Sequence, residues 1–326
     1  MYYDKIKGLD KKISKLIMGN DNQTEFDSAA KLWDHWITVG GNAFDNAHQY
    51  GKGSMETLMG DWQEKRNIRD DVVLIAKGAH TPNCNPISIP IQLTESLDRL
   101  KTDFADIYIM HRDNLDIPVG EFITVLNNEV NNGRIKIFGG SNWTLERFKE
   151  ANEWAEKNNM QGMTILNNNL ALSKMNRPLW TGCVSSNEEL ILDYLEKTQT
   201  AHLAWSSQGR GYFLPEDLCQ IIEDQITKKE SVWRKPGEHS SGPLSCYDSK
   251  DNRERKKRAI KLAEEFSVTP QNIAGAWPLN QSFPSFALIG PRTIDEINTS
   301  LPSLDIQILK EDVDWLNLKK QERLKI

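Results

Sequence analysis

The feature that most constrains the fold of this 326-residue chain is a series of eight short apolar runs, several of them rich in β-branched residues. Runs that are apolar on both faces are typical of strands in a parallel sheet that helices cover. The first seven runs begin about 27 to 40 residues apart, which is the length of one strand-helix unit. We therefore predict eight parallel strands, at residues 16–18, 43–44, 72–76, 107–110, 135–138, 163–166, 203–205 and 286–289.

Between the apolar runs lie stretches in which apolar residues recur with the period of an α-helix. In residues 28–39, for example, Leu32, Trp33 and Trp36 fall on one side of the predicted helix. Similar patterns predict helices at residues 89–100, 119–131, 145–156, 188–196 and 254–266. Strand and helix therefore alternate, and eight such units predict an α/β fold, a single (β/α)8 TIM barrel domain that spans residues 1–326.

One segment interrupts this alternation. Residues 208–252, after the seventh predicted strand, form a long polar stretch that is rich in Gly, Pro and Ser at residues 235–245. We predict a long loop there, at the end of the barrel where active sites form. A doubly wound sheet is the alternative architecture, but neither glycine pair, at residues 51–53 or 209–211, completes the Gly-x-Gly-x-x-Gly turn that would support it.

The composition argues against several classes of function. With 40 Lys and Arg against 46 Asp and Glu, the formal net charge is −6, which disfavours binding to nucleic acid or to anionic membranes. No stretch reaches the roughly 18 apolar residues of a membrane span, and the N-terminus lacks a signal-peptide core. The four cysteines and six histidines show neither Cys-x-x-Cys nor His-x-x-x-His spacing. We expect a cytoplasmic protein with no metal site, no nucleic-acid partner and no membrane partner.

Four titratable side chains fall where three neighbouring strands are predicted to end. Asp45 ends the second strand, and Tyr50 follows it by five residues. Lys77 ends the third strand and His111 ends the fourth, so all four should meet at the C-terminal mouth of the barrel. Because a neighbouring ammonium favours the phenolate, we expect Lys77 to lower the pKa of Tyr50. Asp45 would hold Lys77 in place, and neutral His111 could orient a carbonyl oxygen toward the tyrosine.

The segment after the second predicted strand resembles a motif of the aldo-keto reductase family. The family pattern Phe-Asp-x-Ala-x-x-Tyr-Gly-x-Gly-x-x-Glu is present at residues 44–56, and the catalytic tetrad of the family corresponds to the four side chains named above. The resemblance extends from a short opening hairpin at residues 5–15 to Leu301. It implies an NAD(P)H-dependent oxidoreductase that reduces an aldehyde or ketone, or catalyses the reverse oxidation, with Tyr50 as general acid or base.

The same resemblance assigns residues to the nicotinamide end of the cofactor. Ser141 and Asn142 correspond to residues that hydrogen-bond the carboxamide, and Asn167 falls where the family usually has a glutamine. Asparagine offers the same amide on a shorter stem, so Asn168 or Asn169 could equally be that partner. Trp205 takes the position whose ring stacks on the nicotinamide.

The remainder of the cofactor would lie along two later segments. The resemblance assigns the pyrophosphate path to Ser206, Gln208, Gly209 and Arg210, and the adenosine end to Gly290, Arg292, Thr293 and Glu296. A turn that leads into a helix N-terminus is a natural anion site, so that Arg292 and Thr293 could hold a 2′-phosphate. We therefore expect NADPH as the cofactor, with NADH as the other candidate.

Polar side chains expected at the mouth bear on the substrate. His48, Arg112, Asp113, Asn114 and residues 235–247 favour a sugar-type carbonyl compound or polyol over a steroid. Two other functions remain open. One is a non-catalytic regulatory subunit of the same fold, with bound cofactor as a sensor, and the other is a barrel isomerase or aldolase that acts on sugar phosphates.

Overall fold

The computed structural model describes residues 1–228 and 242–323. The chain opens with an antiparallel hairpin of β1 (Tyr3–Asp4) and β2 (Ile13–Ser14). Eight parallel strands follow: β3 (Leu16–Gly19), β4 (Ala43–Asp45), β5 (Val73–Gly78), β6 (Ala105–Met110), β7 (Ile135–Ser141), β8 (Ile165–Asn167), β9 (Ala201–Ala204) and β10 (Ser285–Ile289). They close in the order β10-β3-β4-β5-β6-β7-β8-β9. The predicted (β/α)8 barrel with an N-terminal hairpin is confirmed.

The helices cover the outside of this barrel. The structure has α1 (Phe26–Thr38), α2 (Ser54–Arg66), α3 (Ser88–Leu100), α4 (Val119–Asn131), α5 (Leu145–Lys157), α6 (Glu189–Thr198), α7 (Glu216–Lys228), α8 (Pro243–Tyr247), α9 (Lys250–Phe266), α10 (Pro270–Leu279), α11 (Ile294–Ser300) and α12 (Lys310–Leu316). Each of the six helices predicted from periodicity is present. The sequence pattern did not predict α2, because its buried face mixes Met59 and Trp62 with the polar Glu56 and Gln63.

The segment of residues 208–252 is not a continuous loop. It contains α7, α8 and the first turn of α9, so the prediction of a long loop is wrong for these parts. The polar composition of this stretch suggested a loop, although α7 buries Cys219 and Glu223 on one side. Residues 229–241, which hold much of the Gly-, Pro- and Ser-rich stretch, lie outside the described residues.

Two apolar layers build the core. Inside the barrel, residues such as Val73, Ile107 and Leu203 pack against one another, while Trp33 and Trp277 lie in the layer between strands and helices. Successive side chains of a strand point to opposite faces, so every second residue of each strand enters the interior. No helix among the described residues is long and apolar enough to cross a membrane.

One buried polar side chain in the outer layer is a histidine of β9. His202 is fully buried, its ring lies 6.3 Å from the ring of Phe283, and neither ring nitrogen has a hydrogen-bond partner among the described residues. Burial lowers the pKa of His202 to about 3, against about 6.5 in an unfolded chain. As the pH falls from about 6.5 to about 3, the unfolded state therefore takes up a proton that the folded state does not.

We predict that His202→Leu makes the protein less sensitive to mild acid. Between pH 7 and pH 5, the free energy of unfolding should fall by about 2 kcal/mol less in this variant than in the wild type. Urea unfolding at the two pH values measures the difference. Leu195→Ala, a truncation elsewhere in the buried outer layer, should lower stability at both pH values without changing that difference. An unchanged pH dependence in His202→Leu would contradict the prediction.

Candidate active site

The ends of three neighbouring strands bring the predicted catalytic side chains together. Asp45 is the last residue of β4, Lys77 lies one residue before the end of β5, and His111 directly follows β6. Tyr50 begins a short 3₁₀ turn, Tyr50–Gly53, that connects β4 to α2. All four side chains therefore lie at the C-terminal mouth of the barrel.

The ammonium group of Lys77 is the centre of this cluster. Its Nζ donates a hydrogen bond of 2.6 Å to Oδ2 of Asp45 and another of 2.8 Å to Oη of Tyr50. Asp45 and Lys77 are only 3% and 4% exposed. Burial alone would lower the pKa of Lys77, but the charges and hydrogen bonds of Asp45 and Tyr50 together outweigh burial and raise that pKa above its ordinary value. Lys77 is therefore a buried cation at neutral pH.

The effect of this cation on Tyr50 is smaller than expected. Burial raises the pKa of Tyr50 to about 12, although the charge of Lys77 acts in the opposite direction. The prediction that Lys77 lowers the pKa of Tyr50 is therefore wrong for the net shift, because burial outweighs the ammonium. Burial also raises the pKa of Asp45, against the opposing charge of Lys77.

Two imidazole rings complete the cluster. The ring of His111 stands edge-on to that of Tyr50, with 5.8 Å between centroids, and 4.9 Å from the ring of His80. Burial, together with the charge of Lys77, lowers the pKa of His111 well below its ordinary value, so its ring is neutral. His80 was not predicted from the sequence. The feature that could have identified it is its position two residues after the end of β5, because the predicted side chains also lie at or just after strand ends.

Backbone pairing fixes the position of the Tyr50–Gly53 turn. Beyond the end of β4 the chain still pairs with β5: the N–H of Lys77 donates to the carbonyl of Asn46, and the N–H of His48 donates to the carbonyl of Lys77. On the outer side, Arg99 of α3 donates to the carbonyl of His48 at 3.4 Å. The turn is thus held from both the strand side and the helix side.

Most of the polar side chains predicted to line the mouth have other partners. His48 bonds to a glutamate of α3, Asp113 accepts two hydrogen bonds from an arginine of α5, and Asn114 donates to a backbone carbonyl. In the predicted stretch 235–247, residues 235–241 lie outside the described residues and α8 occupies the end. Arg112 is the member of this set that retains an uncompensated charge among the described residues.

Amide and hydroxyl groups follow on β7 and β8. Oγ of Ser141, the last residue of β7, accepts a hydrogen bond of 3.0 Å from Asn142, whose Oδ1 accepts the N–H of Val184. Asn167, the last residue of β8, donates through Nδ2 to the carbonyl of Leu203 at 2.7 Å. Its Oδ1 is buried and has no partner among the described residues. Asn167 therefore retains one acceptor at the mouth.

The two following asparagines are oriented differently. The amide of Asn168 donates to the carbonyl of Trp143 at 2.9 Å. The amide of Asn169 donates to the carbonyl of Trp205 at 3.2 Å and accepts from the hydroxyl of Ser185. Both amides thus bond to neighbouring chain segments. Asn167 is the one of the three that combines a buried side-chain oxygen without a partner among the described residues with an inward position, at the last residue of β8 and two residues after the inward Ile165.

An aromatic pair and a turn lie after β9. The ring of Trp205 is 6.1 Å from that of Trp180, and the guanidinium carbon of Arg210 is 5.1 Å from the centre of the Trp180 ring. Ser206, Gly209 and Arg210 all have left-handed backbone angles, with φ of 51°, 63° and 53°. Trp180 was not predicted from the sequence, because it lies in an irregular segment without periodicity.

The last predicted group surrounds the N-terminus of α11. Gly290 and Arg292 are exposed, and the side chain of Thr293 accepts the N–H of Glu296. The carboxylate of Glu296 in turn accepts the N–H of Arg292 at 2.6 Å. Nε2 of Gln208 donates a hydrogen bond of 3.3 Å to Oγ of Ser300, the last residue of α11. The predicted site residues thus lie on strand ends, on the loops and turns that follow them and, for Glu296, in the first turn of α11, with a carboxylate beside the predicted phosphate site.

Comparisons with known proteins agree with this architecture. The model of the Aldo/keto reductase family matches residues 15–319. An uncharacterized oxidoreductase, YrpG of Bacillus subtilis, is 22% identical over 325 residues, which cover 94% of this chain and 92% of that protein. A Schizosaccharomyces pombe protein named for a voltage-gated potassium channel subunit beta is 22% identical, with 90% of this chain and 84% of that protein covered.

A solved structure has the same fold. The crystal structure of a thermostable aldo-keto reductase in complex with the inhibitor epalrestat superimposes with a TM-score of 0.73. The alignment covers 98% of this chain and 99% of that one, at 19% sequence identity. This likeness supports the barrel, whereas the individual site residues are placed by the contacts described above.

We predict that Asp45→Asn destabilises the protein strongly. The variant leaves the Lys77 ammonium buried without its carboxylate, which typically costs about 3–5 kcal/mol of unfolding free energy. The pKa of Lys77 should also fall, because burial then acts unopposed. Denaturant unfolding and titration of the lysine measure the two effects.

Two further variants make this test specific. Asp45→Asn combined with Lys77→Met removes both charges and should recover much of the lost stability. Glu189→Gln breaks an exposed ion pair with Lys319 and should cost about 1 kcal/mol or less. Equal stability of Asp45→Asn and Glu189→Gln would show that the buried pair has no special importance.

Proposed function

The chain belongs to the aldo/keto reductase family, and from this premise we propose that it reduces an aldehyde or ketone to an alcohol with NADPH, through Tyr50. Membership implies NAD(P)H-dependent carbonyl reduction in general. The observation that carries the finer proposal is the position of the Lys77 ammonium, 2.6 Å from Asp45 and 2.8 Å from Tyr50. The same chemistry in reverse would oxidise an alcohol.

In this proposal Tyr50 is the general acid. Its oxygen accepts a hydrogen bond from Lys77, which leaves its own proton available to the carbonyl oxygen of the substrate. A pKa of about 12 keeps the hydroxyl protonated throughout the neutral range. The alkoxide that forms from a carbonyl group is a stronger base than a phenolate, so proton transfer from Tyr50 is favourable despite the raised pKa. The nearby ammonium stabilises the phenolate that remains.

Two neighbours support this transfer. Asp45 keeps Lys77 charged and directs its ammonium toward Tyr50. His111 is neutral and stands beside the phenol ring, so that it can donate an N–H to the same carbonyl oxygen without adding a charge. Two donors on adjacent strands would thus orient the substrate carbonyl.

The residues at the mouth fit a nicotinamide. The unpartnered buried acceptor of Asn167 suits an amide N–H of the carboxamide, and Ser141 and Asn142 lie one strand away. The ring of Trp205, at the inward position after β9, offers a surface on which the nicotinamide ring would stack. When bound, the reduced cofactor supplies the hydride that adds to the carbonyl carbon.

The remaining cofactor residues suit a dinucleotide. Left-handed angles at Ser206, Gly209 and Arg210 form the kind of turn whose backbone N–H groups bind phosphates. Arg210 adds a positive charge there, and Gln208 connects this turn to α11. At α11, we assign Gly290, Thr293 and Glu296 to the adenosine end and propose that Arg292 binds the 2′-phosphate of NADPH, as the exposed cation of that turn.

A non-catalytic cofactor-binding subunit of the same fold is the second candidate. The relative named for a potassium channel subunit beta favours it. The two functions differ in one measurable property, turnover of a carbonyl compound, and the next experiment measures it.

We predict that Tyr50→Phe loses two to four orders of magnitude in turnover, because general acid catalysis typically contributes about that much. The absorbance of reduced nicotinamide measures turnover with a panel of aldehydes, ketones and sugars, and a fluorescence titration measures NADPH binding, which should be retained. Tyr108→Phe is the matched control, since Tyr108 is buried on β6 outside the mouth. Near-normal turnover in Tyr50→Phe would exclude Tyr50 as the acid. If the wild type binds NADPH but reduces no compound of the panel, the regulatory subunit would be favoured.

We predict that Arg292→Ala weakens NADPH binding about tenfold or more and NADH binding much less, since hydrogen bonds to charged groups contribute about 1.5–3 kcal/mol. Glu296→Gln should act in the opposite direction, because it removes a negative charge beside the phosphate. Dissociation constants for both cofactors measure the effect. An equal loss of both cofactors in Arg292→Ala would show that Arg292 does not contact the 2′-phosphate.

A further inference from the structure

We propose that Arg112 binds an anionic group of the substrate, so that the protein prefers aromatic aldehydes or ketones that carry a carboxylate. The inference rests on the proposed reductase function, and it specifies the substrate class of the same site. Arg112 is fixed beside His111, its charge has no counter-ion among the described residues, and aromatic side chains lie near it.

The backbone of Arg112 is held beside the predicted substrate-orienting histidine. Arg112 directly follows His111, and its carbonyl oxygen accepts hydrogen bonds from Sγ of Cys84 at 3.2 Å and Nε1 of Trp143 at 3.3 Å. Its own Nη1 lies 3.4 Å from the carbonyl of His111. The guanidinium therefore lies against the backbone of the residue whose imidazole would orient the substrate carbonyl.

The charge of Arg112 has no counter-ion in the described part of the chain. The neighbouring carboxylate, Asp113, pairs instead with Arg147 at 2.9 Å. The side chain of Arg112 donates to the thiol of Cys183, and burial raises the pKa of that thiol, so that it stays neutral. A partly buried cation without a counter-ion is unfavourable, and an anion on the substrate would supply the missing charge with charge-assisted hydrogen bonds.

An aromatic wall lies next to this guanidinium. Trp180 is 40% exposed, and its ring is 6.1 Å from the ring of Trp205. The N–H of Cys183 donates to the carbonyl of Trp180, so that the indole and the thiol that contacts Arg112 belong to one tight turn. Gly182 of this turn lies against Arg112, because a Cβ atom added to Gly182 would be in van der Waals contact with Nε of Arg112, at 3.9 Å. A flat aromatic substrate could stack on the indoles while its anion reaches Arg112.

The topology separates Arg112 from the predicted 2′-phosphate site. In the closed order of strands, β6 lies four strands away from β10, which Arg292 follows, and therefore on the opposite side of the mouth. Arg210, which follows β9, lies nearer, because its guanidinium carbon is 5.1 Å from the ring of Trp180. Because Arg112 directly follows His111, we assign its anion to the molecule whose carbonyl His111 would orient, which is the substrate.

The test compares 4-carboxybenzaldehyde with methyl 4-formylbenzoate, which share the ring and the aldehyde and differ in charge. The wild type should prefer the carboxylate in kcat/KM by about tenfold or more, mainly through KM. Arg112→Gln should bring the ratio close to one, and Arg112→Lys should retain part of it. Arg66→Gln, which removes an exposed cation of α2 paired with Asp34, should leave the ratio unchanged. A thermal unfolding curve for each variant establishes that it is folded.

The outcomes separate this inference from the proposed function. Equal kcat/KM for the two aldehydes in the wild type, or an unchanged preference in Arg112→Gln, would overturn the inference while turnover that depends on Tyr50 still supports the reductase. If the wild type reduces neither aldehyde, quenching of tryptophan fluorescence in the presence of NADP⁺ measures their binding. Tighter binding of the carboxylate that is lost in Arg112→Gln would support the inference, and equal binding would overturn it.

Discussion

Closure of the eight-stranded sheet is the constraint on which the site depends. Because side chains alternate between the two faces of a strand, closure sends every second residue into a confined interior that apolar side chains fill. Lys77 occupies the next inward position after Ile75, and His111 the next after Ile109. The polar cluster is therefore the last layer of the barrel core, at the level where the strands end and substrate has access.

Burial acts on the groups of this layer in different directions. It raises the pKa of Asp45 and Tyr50 and lowers that of His111, while the charge of Asp45 keeps Lys77 protonated. A protonated phenol and a neutral imidazole thus lie side by side around one buried ion pair. Both can donate hydrogen bonds to a carbonyl oxygen at neutral pH. The low-dielectric setting increases the energetic effect of each charge in the cluster.

Strand positions were predictable because apolar runs of strand length have few other interpretations in a regular strand-helix alternation. The helix α2 was not, since its buried face includes polar side chains and leaves little apolar periodicity, and α7 was missed because it lies in a stretch whose polar composition suggested a loop. The sequence also predicted His48 and Asp113 at the mouth, but His48 bonds to Glu95 of α3 and Asp113 to Arg147 of α5. These partners are 47 and 34 residues away in the sequence. At such separations the spacing of two residues does not predict whether they are in contact. His80 and Trp180 lie in loops, where no period marks a side chain as facing the site.

The sequence by itself determined the barrel, the strands that carry Asp45, Lys77 and His111, and the family, because these follow from local patterns and a motif of fixed spacing. Only the tertiary structure decided the charge state of the site and the partners of its polar side chains. The pKa of Tyr50 depends on how deeply the ring is buried and how near Lys77 stands, and Arg112 has no counter-ion within residues 1–228 and 242–323 because Asp113 pairs with Arg147. Such properties arise from contacts between residues distant in sequence, and those contacts exist only once the barrel has closed.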